Sequence, residues 1–281
     1  MALLSYEFLR RALLAVLFMA GIAPMLGVFL VVRRQSLLAD TLSHVSLAGI
    51  ALGLFFNLNP TFTTLLVVVI AAIVLEYLRR MYAGYSEISI AILMAAGLSV
   101  ALVLMSLSEN AQGVNIQNYL FGSIVTITWS QVWLLAGLFV ALAILFVLVK
   151  RPLYVMTFDE DVASVDGLPV SLMSSIFNIV CGVAIAVMIP IAGALLVSAI
   201  MVIPAAIAMR IGRSFNQVLV VAVVVGLIGM LGGLYTSFEV DTPPGATITL
   251  LFIAIFILVN LFKKIILRFR QNQAAKVRDK N

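Results

Sequence analysis

The chain has 281 residues, of which 64% are hydrophobic and 10% charged, and its formal net charge is +5. Soluble domains carry about 25% charged residues, so apolar content spread over the whole length excludes a soluble globular protein and marks an integral membrane protein. The positive balance does not point to nucleic acid. The basic residues form short clusters between apolar runs, which are topology signals and contacts for anionic membrane lipid.

A spanning helix needs about 20 apolar residues. In chain order, spans are predicted near 12–32, 41–56, 62–78, 88–107, 132–149, 172–189, 191–209, 218–235 and 246–262. The expected fold is an all-α polytopic membrane protein of about nine transmembrane helices. It forms one transmembrane domain over residues 1–267, followed by a basic tail at 268–281 that is expected to fray. The first apolar run continues to Val32 without a small-residue cleavage site followed by soluble sequence, so it reads as a span and not a cleavable leader. Residues 172–209 are almost continuously apolar. As one helix they would measure about 55 Å against a hydrocarbon core of about 30 Å, so the chain is expected to turn back at Pro190 and Gly193.

Nine spans place the termini on opposite sides. With the C-terminus cytoplasmic and the N-terminus outside, all of the 17 Lys and Arg except Arg10 and Arg11 face inward, as the positive-inside rule requires. Gly21, Pro24, Gly27 and Pro204 stand inside spans and suit either a broken helix lining a cavity or close helix packing. Glu76 stands one turn before Arg80 and reads as an i,i+4 ion pair. The single cysteine, Cys181, lies in an apolar run and reads as a small buried hydrophobe.

Residues 40–49, DTLSHVSLAG, hold the only histidine, His44, four residues after Asp40. On a helix the two share one face, about 6 Å apart along the axis. An ionisable group within a membrane costs about 2.5–3.5 kcal/mol on insertion scales, so something must compensate it. Imidazole nitrogen and carboxylate oxygen are ligands for zinc and acceptable ones for manganese or iron. A twofold dimer with this helix at its axis would bring together two Asp and two His. The alternative is that Asp40 helps cap its helix and His44 is a satisfied interior histidine.

Two polar segments interrupt the spans. The outer one, 108–128, is expected to lie along or dip into the membrane surface. The inner one, 157–169, reads TFDEDVASVDGLP. Its acids suit the start of a short helix, and Gly167 and Pro169 stop it. Four acids on an otherwise basic side suit either a docking surface or an ordinary solvated loop. No phosphate loop of the G-x-x-x-x-G-K-[ST] type and no H-E-x-x-H motif occurs in the sequence, and no Ser/His/Asp arrangement is recognisable.

Five motifs in order, RRQSLLADTLSHVSLAGIALG (33–53), YLFGSI (119–124), FDEDVASVDGLPV (158–170), GALLVSAIMVIPAAIA (193–208) and DTPPG (241–245), resemble the membrane permease subunits of bacterial ATP-driven importers for zinc, manganese and iron, the ABC-3 family. Asn59 and Pro60, the VDG of 165–167 and the DTPPG loop are most similar to the zinc-uptake branch. The resemblance implies a type II-like importer fold in the bacterial plasma membrane. It implies a homodimer that docks a cytoplasmic ATPase subunit and receives metal from an extracytoplasmic binding protein. On it, Asp40 and His44 correspond to the membrane-embedded acid and histidine of metal passage. Phe158, Asp159, Glu160, Ala163 and Gly167 correspond to the coupling loop that meets the ATPase. The chain would be a transport subunit, not an enzyme, with Zn2+ as cargo and no resident cofactor. Alternatives are a manganese or iron importer of the same family, a secondary metal transporter without an ATPase, an intramembrane enzyme, and a permease for a small organic ligand.

Overall fold

The computed structural model describes residues 7–82, 85–108, 116–123 and 126–278. They form eleven helices. These are α1 (Glu7–Val32), α2 (Leu37–Phe55), α3 (Pro60–Met81), α4 (Ser86–Leu107), the short α5 (Ile116–Phe121), α6 (Trp129–Phe158), the short α7 (Glu160–Val165), α8 (Val170–Ala192), α9 (Ala194–Ile211), α10 (Phe215–Val240) and α11 (Pro244–Arg278). Among the described residues nine helices are long and apolar enough to cross a membrane, as the sequence predicts. α1, α2 and α8 are the inner helices. α2 packs against α3, α4, α8 and α9, and α1 packs against α6, α9 and α10.

Local chemistry sets the boundaries. Asn59 caps α3 by accepting the Thr61 N–H, with Pro60 at the first helical position. Thr128 and Gln131 form a reciprocal capping box at α6, and Ser214 accepts the Gln217 N–H at α10. At the C-termini, α1, α2 and α7 end in the same paired hydrogen-bond pattern. For α1, Gln35 N–H reaches Leu30 C=O at 2.8 Å and Arg34 N–H reaches Val31 C=O at 3.1 Å, with Arg34 in the left-handed region at φ 58.

Three expectations change. The turn between the sixth and seventh spans is made by Gly193 (φ 86) alone, while Pro190 stays inside the last turn of α8. α6 runs through Lys150, Arg151 and Pro152 to Phe158, two turns beyond its predicted end, and α11 continues as helix to Arg278 where fraying was expected. Part of the outer segment, 109–115 and 124–125, lies outside the described residues. α1 and α9 pass through Pro24 and Pro204 unbroken. Their small residues serve packing. A Cβ on Gly27 would overlap the Met201 backbone carbonyl, so α1 and α9 touch backbone to backbone.

The two ends of the bundle differ. One gathers the Arg33, Arg79 and Arg210 regions with α7. There Arg33 and Arg79 reach Glu160, the Phe158 and Phe215 rings meet at 5.6 Å, and Lys263 Nζ donates to the Arg210 carbonyl at 2.6 Å. The other end holds Arg11, which donates to the Ile127 carbonyl, and the close approach of Gly122, Gly193 and Gly245.

Candidate functional site

α2 places Asp40 and His44 as its sequence spacing requires. Leu37, Asp40 and His44 form a stripe that keeps partial exposure, while Leu38, Ala39, Thr41, Leu42, Ser43 and Val45 are buried around it. The hydroxyls of Ser43 and Ser46 are consumed within the helix, bonding Ala39 and Leu42 carbonyls at 2.8 and 2.7 Å. Asp40 does not cap α2, because Ser36 holds the N-cap position and makes no side-chain cap bond. His44 Nδ1 is buried and has no hydrogen-bond partner among the described residues. A buried polar nitrogen without a partner is an uncommon cost, and one that a bound cation removes. No group of three or more His, Cys, Asp or Glu that could hold a metal occurs among the described residues. Asp40 and His44 are thus not joined by a third such side chain among the described residues. The apolar cavity of about 150 Å³ beside Phe29, Phe146 and Phe177 has no carboxylate or imidazole in its lining.

α7 forms where the sequence predicts. Asp159 caps it by accepting the N–H groups of Asp161 and Val162, both at 3.0 Å, and Gly167 ends it at φ 79. A Cβ on Gly167 would meet nothing within 4 Å, so its requirement is backbone conformation alone. Ala163 is fully buried beneath the helix, while Phe158, Val162 and Val165 point outward and Val165 is 88% exposed. The Phe158 ring lies tilted against Tyr154 at 4.8 Å and edgewise to Phe215 at 5.6 Å.

Between these two features lies a charged cluster. Glu76 is buried and pairs with Arg80, as its spacing predicts, at 3.3 Å. It also accepts from Arg79, from Ser174 Oγ at 3.1 Å and from Asn178 Nδ2 at 3.0 Å. Arg79 and Arg33 both extend to Glu160 Oε1, at 3.4 and 2.9 Å. Arg33 is nearly inaccessible, with 2% of its side chain exposed, and lies 5.3 Å from the centroid of Phe177. Burial pulls its guanidinium below the ordinary arginine range, and Glu160 opposes that pull. Burial alone would raise the Glu160 carboxyl, but the charges of Arg79 and Arg33 outweigh it and hold the group below its ordinary 4.5.

Sequence reasoning took Arg33 and Arg79 as topology signals and missed Ser174, Asn178 and the exposed Val165. One signal for α8 was present. Ser174 and Asn178 are four apart in an apolar span, the same kind of polar pair that drew attention to Asp40 and His44.

Comparison with known proteins agrees with this architecture. The ABC 3 transport family matches residues 5–263. The chain is 30% identical over 260 residues to the high-affinity zinc uptake system membrane protein ZnuB of Haemophilus influenzae, covering 92% of this chain and 98% of that one. It is 26% identical over 277 residues to the manganese transport system membrane protein MntC of Halalkalibacterium halodurans, covering 98% and 94%. Among solved structures, PsaBC from Streptococcus pneumoniae in complex with Fab shares the fold with a TM-score of 0.81 at 22% identity, over 92% of both chains. Nine apolar helices, the ordered motifs and a family match across nearly the whole length lead to one assignment: the chain is a multi-pass membrane transport subunit, not an enzyme, and belongs to the ABC 3 transport family.

Proposed function

We propose that the chain is the membrane subunit of an ATP-driven importer that moves a divalent transition metal, with zinc the favoured cargo, across the bacterial plasma membrane. The observation that carries this reading is the Asp40–His44 stripe of α2. It is a carboxylate and an imidazole with an orphaned buried nitrogen, inside a nine-span bundle whose relatives bear zinc and manganese transport names. One copy provides two ligands, so a homodimer with α2 near its axis completes the set with two more. Two carboxylates neutralise the two charges of the ion, and apolar helices around them exclude water. Loose binding is an advantage for a station that must release.

The end carrying α7 and the basic clusters faces the cytoplasm by the positive-inside rule. There α7 docks a separate ATPase subunit through its exposed Phe158, Val162 and Val165, ringed by the acids Asp159, Asp161 and Asp166. Glu160, Ala163 and Gly167 hold the docking helix in place and are not its contact surface. An extracytoplasmic metal-binding protein delivers the ion at the other end. Manganese is the second cargo reading, favoured by the manganese-named relative and by ligand types the two metals share.

The test is uptake of radioactive zinc in cells lacking their own zinc importer, expressing the chain with its ATPase and binding protein, with excess manganese as competitor. Zinc accumulates, manganese does not suppress it, and His44→Ala and Asp40→Ala each abolish uptake while reaching the membrane in normal amount. Normal transport by both variants would overturn the site. Suppression by manganese would overturn the choice of metal.

A further inference from the structure

The acid at the head of α7 does more than start a helix. Glu160 Oε1 receives Arg33 Nη2 at 2.9 Å, and among the described residues Glu160 is the one acid within ion-pair distance of Arg33. The other hydrogen bond of that guanidinium is to Ser174 Oγ at 2.8 Å, while Nε and Nη1 are buried without a hydrogen-bond partner. Arg33 therefore depends on Glu160 for its charge balance. Pulling the two apart would leave an arginine with a 2% exposed side chain facing no carboxylate, which is far costlier than moving both together.

Arg33 also has a particular address. It is the first residue after α1, in the turn that delivers the chain into α2, seven residues before Asp40. That turn is closed on both sides. Gln35 N–H bonds back to Leu30 C=O at 2.8 Å, and Leu38 N–H bonds to Gln35 C=O at 3.0 Å. A second arm runs through Arg79, which reaches Glu160 from the end of α3. α3 in turn grips the far half of α2, where the Thr63 hydroxyl donates to the Gly49 carbonyl at 2.9 Å. Both arms start on one carboxylate of α7 and finish on the helix that carries Asp40 and His44.

We propose that Glu160 is a positioning residue that ties α7 to α2 through Arg33 and Arg79, so that displacement of α7 by the ATPase reaches the Asp40–His44 station without slack. This rests on the reading of α7 as the ATPase dock and of α2 as the cargo helix. The pair stays closed through the transport cycle, and α7, the α1–α2 turn and the end of α3 move as one body.

The test uses proteoliposomes holding the full complex of this chain, its ATPase and its binding protein, with zinc uptake and ATP hydrolysis read in the same vesicles. Glu160→Gln is near-isosteric and keeps the helix. It retains the bound ATPase and its hydrolysis, but zinc moved per ATP falls at least about fivefold, the lower end of ordinary coupling energies. Arg33→Glu alone also uncouples. The exchange of both, Glu160→Arg with Arg33→Glu, remakes the Arg33 arm while Arg79 loses its acid, so it recovers part of the ratio lost in Arg33→Glu, a rescue that a merely structural acid would not give. An unchanged ratio in Glu160→Gln overturns the proposal. So does loss of the ATPase from both Glu160→Gln and the exchange variant, since Glu160 would then serve docking itself. The parent reading is judged without Glu160. It fails when the unmodified chain does not bind the ATPase, or when Asp40→Ala transports normally.

Discussion

Glu76 Oε2 accepts a hydrogen bond from Asn178 Nδ2 at 3.0 Å, joining α3 to α8 between two buried side chains 102 positions apart in sequence. The same carboxylate pairs with both Arg79 and Arg80. Replacing Glu76 by Leu would take from Arg80 its acid and from Arg79 one of its two, and would leave the Ser174 and Asn178 donors without this acceptor. The expected loss is about 3 kcal/mol, at the low end for a broken buried pair because Arg80 is half exposed. Thermal unfolding of the purified protein in detergent measures it, and Glu76→Gln should lose less, since the amide still accepts from Asn178.

Gly27 and Gly137 make a matched pair. Gly27→Val drives a side chain into the Met201 carbonyl, a backbone atom that cannot rotate away, and should cost at least about 1–3 kcal/mol and most of the monodisperse yield. Gly137 has nothing within 4 Å of a built Cβ, so Gly137→Ala should be neutral or stabilise α6 by about 0.5–1 kcal/mol. Size-exclusion profiles and melting curves of the two variants separate contact from helix propensity.

At Gly167 the space is open and only φ 79 is demanding. Gly167→Ala should cost about 1 kcal/mol of backbone strain, and Gly167→Asn less, because Asn tolerates the left-handed region. Equal melting temperatures for the two would contradict the conformational account.

Val165 is 88% exposed, so Val165→Asp should leave the melting temperature within about 0.5 kcal/mol equivalent of the parent. It should nevertheless cut co-purification of the ATPase subunit sharply, because a charge would enter an apolar contact. Undiminished co-purification would remove Val165 from the docking surface.

The acid pair sets a pH dependence. The carboxyl of Glu160 is held below 4.5 in the folded state, so its contribution is fully present above 4.5 and is lost as pH falls through the lowered folded value. The difference in melting temperature between the parent and Glu160→Gln should therefore be constant from neutral pH down to about 4.5 and close only in stronger acid. A difference that closes between neutrality and pH 5 would show that the carboxyl is not stabilised in its charged form.

The nine spans were legible because apolar runs of sufficient length have one physical outcome in lipid. The short α7 was legible because its cap and its stop, Asp159 and Gly167, are local. Helix ends beyond the membrane were not. Lys150, Arg151 and Pro152 read as a stop, yet α6 continues through them because Leu153 and Met156 beyond them are buried in the core. The partners of Arg33 were also hidden. Glu160 is 127 positions away, and nothing in the run RRQS separates an arginine that marks an interface from one that is buried in it. Asp40 and His44 stood out because they are the two ionisable side chains of α2.

A protein with one imidazole in 281 residues carries its own reporter. Histidine-selective nitrogen-15 labelling, with a purification tag free of histidine, gives a spectrum in which every side-chain signal belongs to His44. Tautomer, protonation and cargo contact can then be followed at one residue without assignment. One set of surroundings gives a single pair of resonances, and a doubled pair would register two distinct environments of His44.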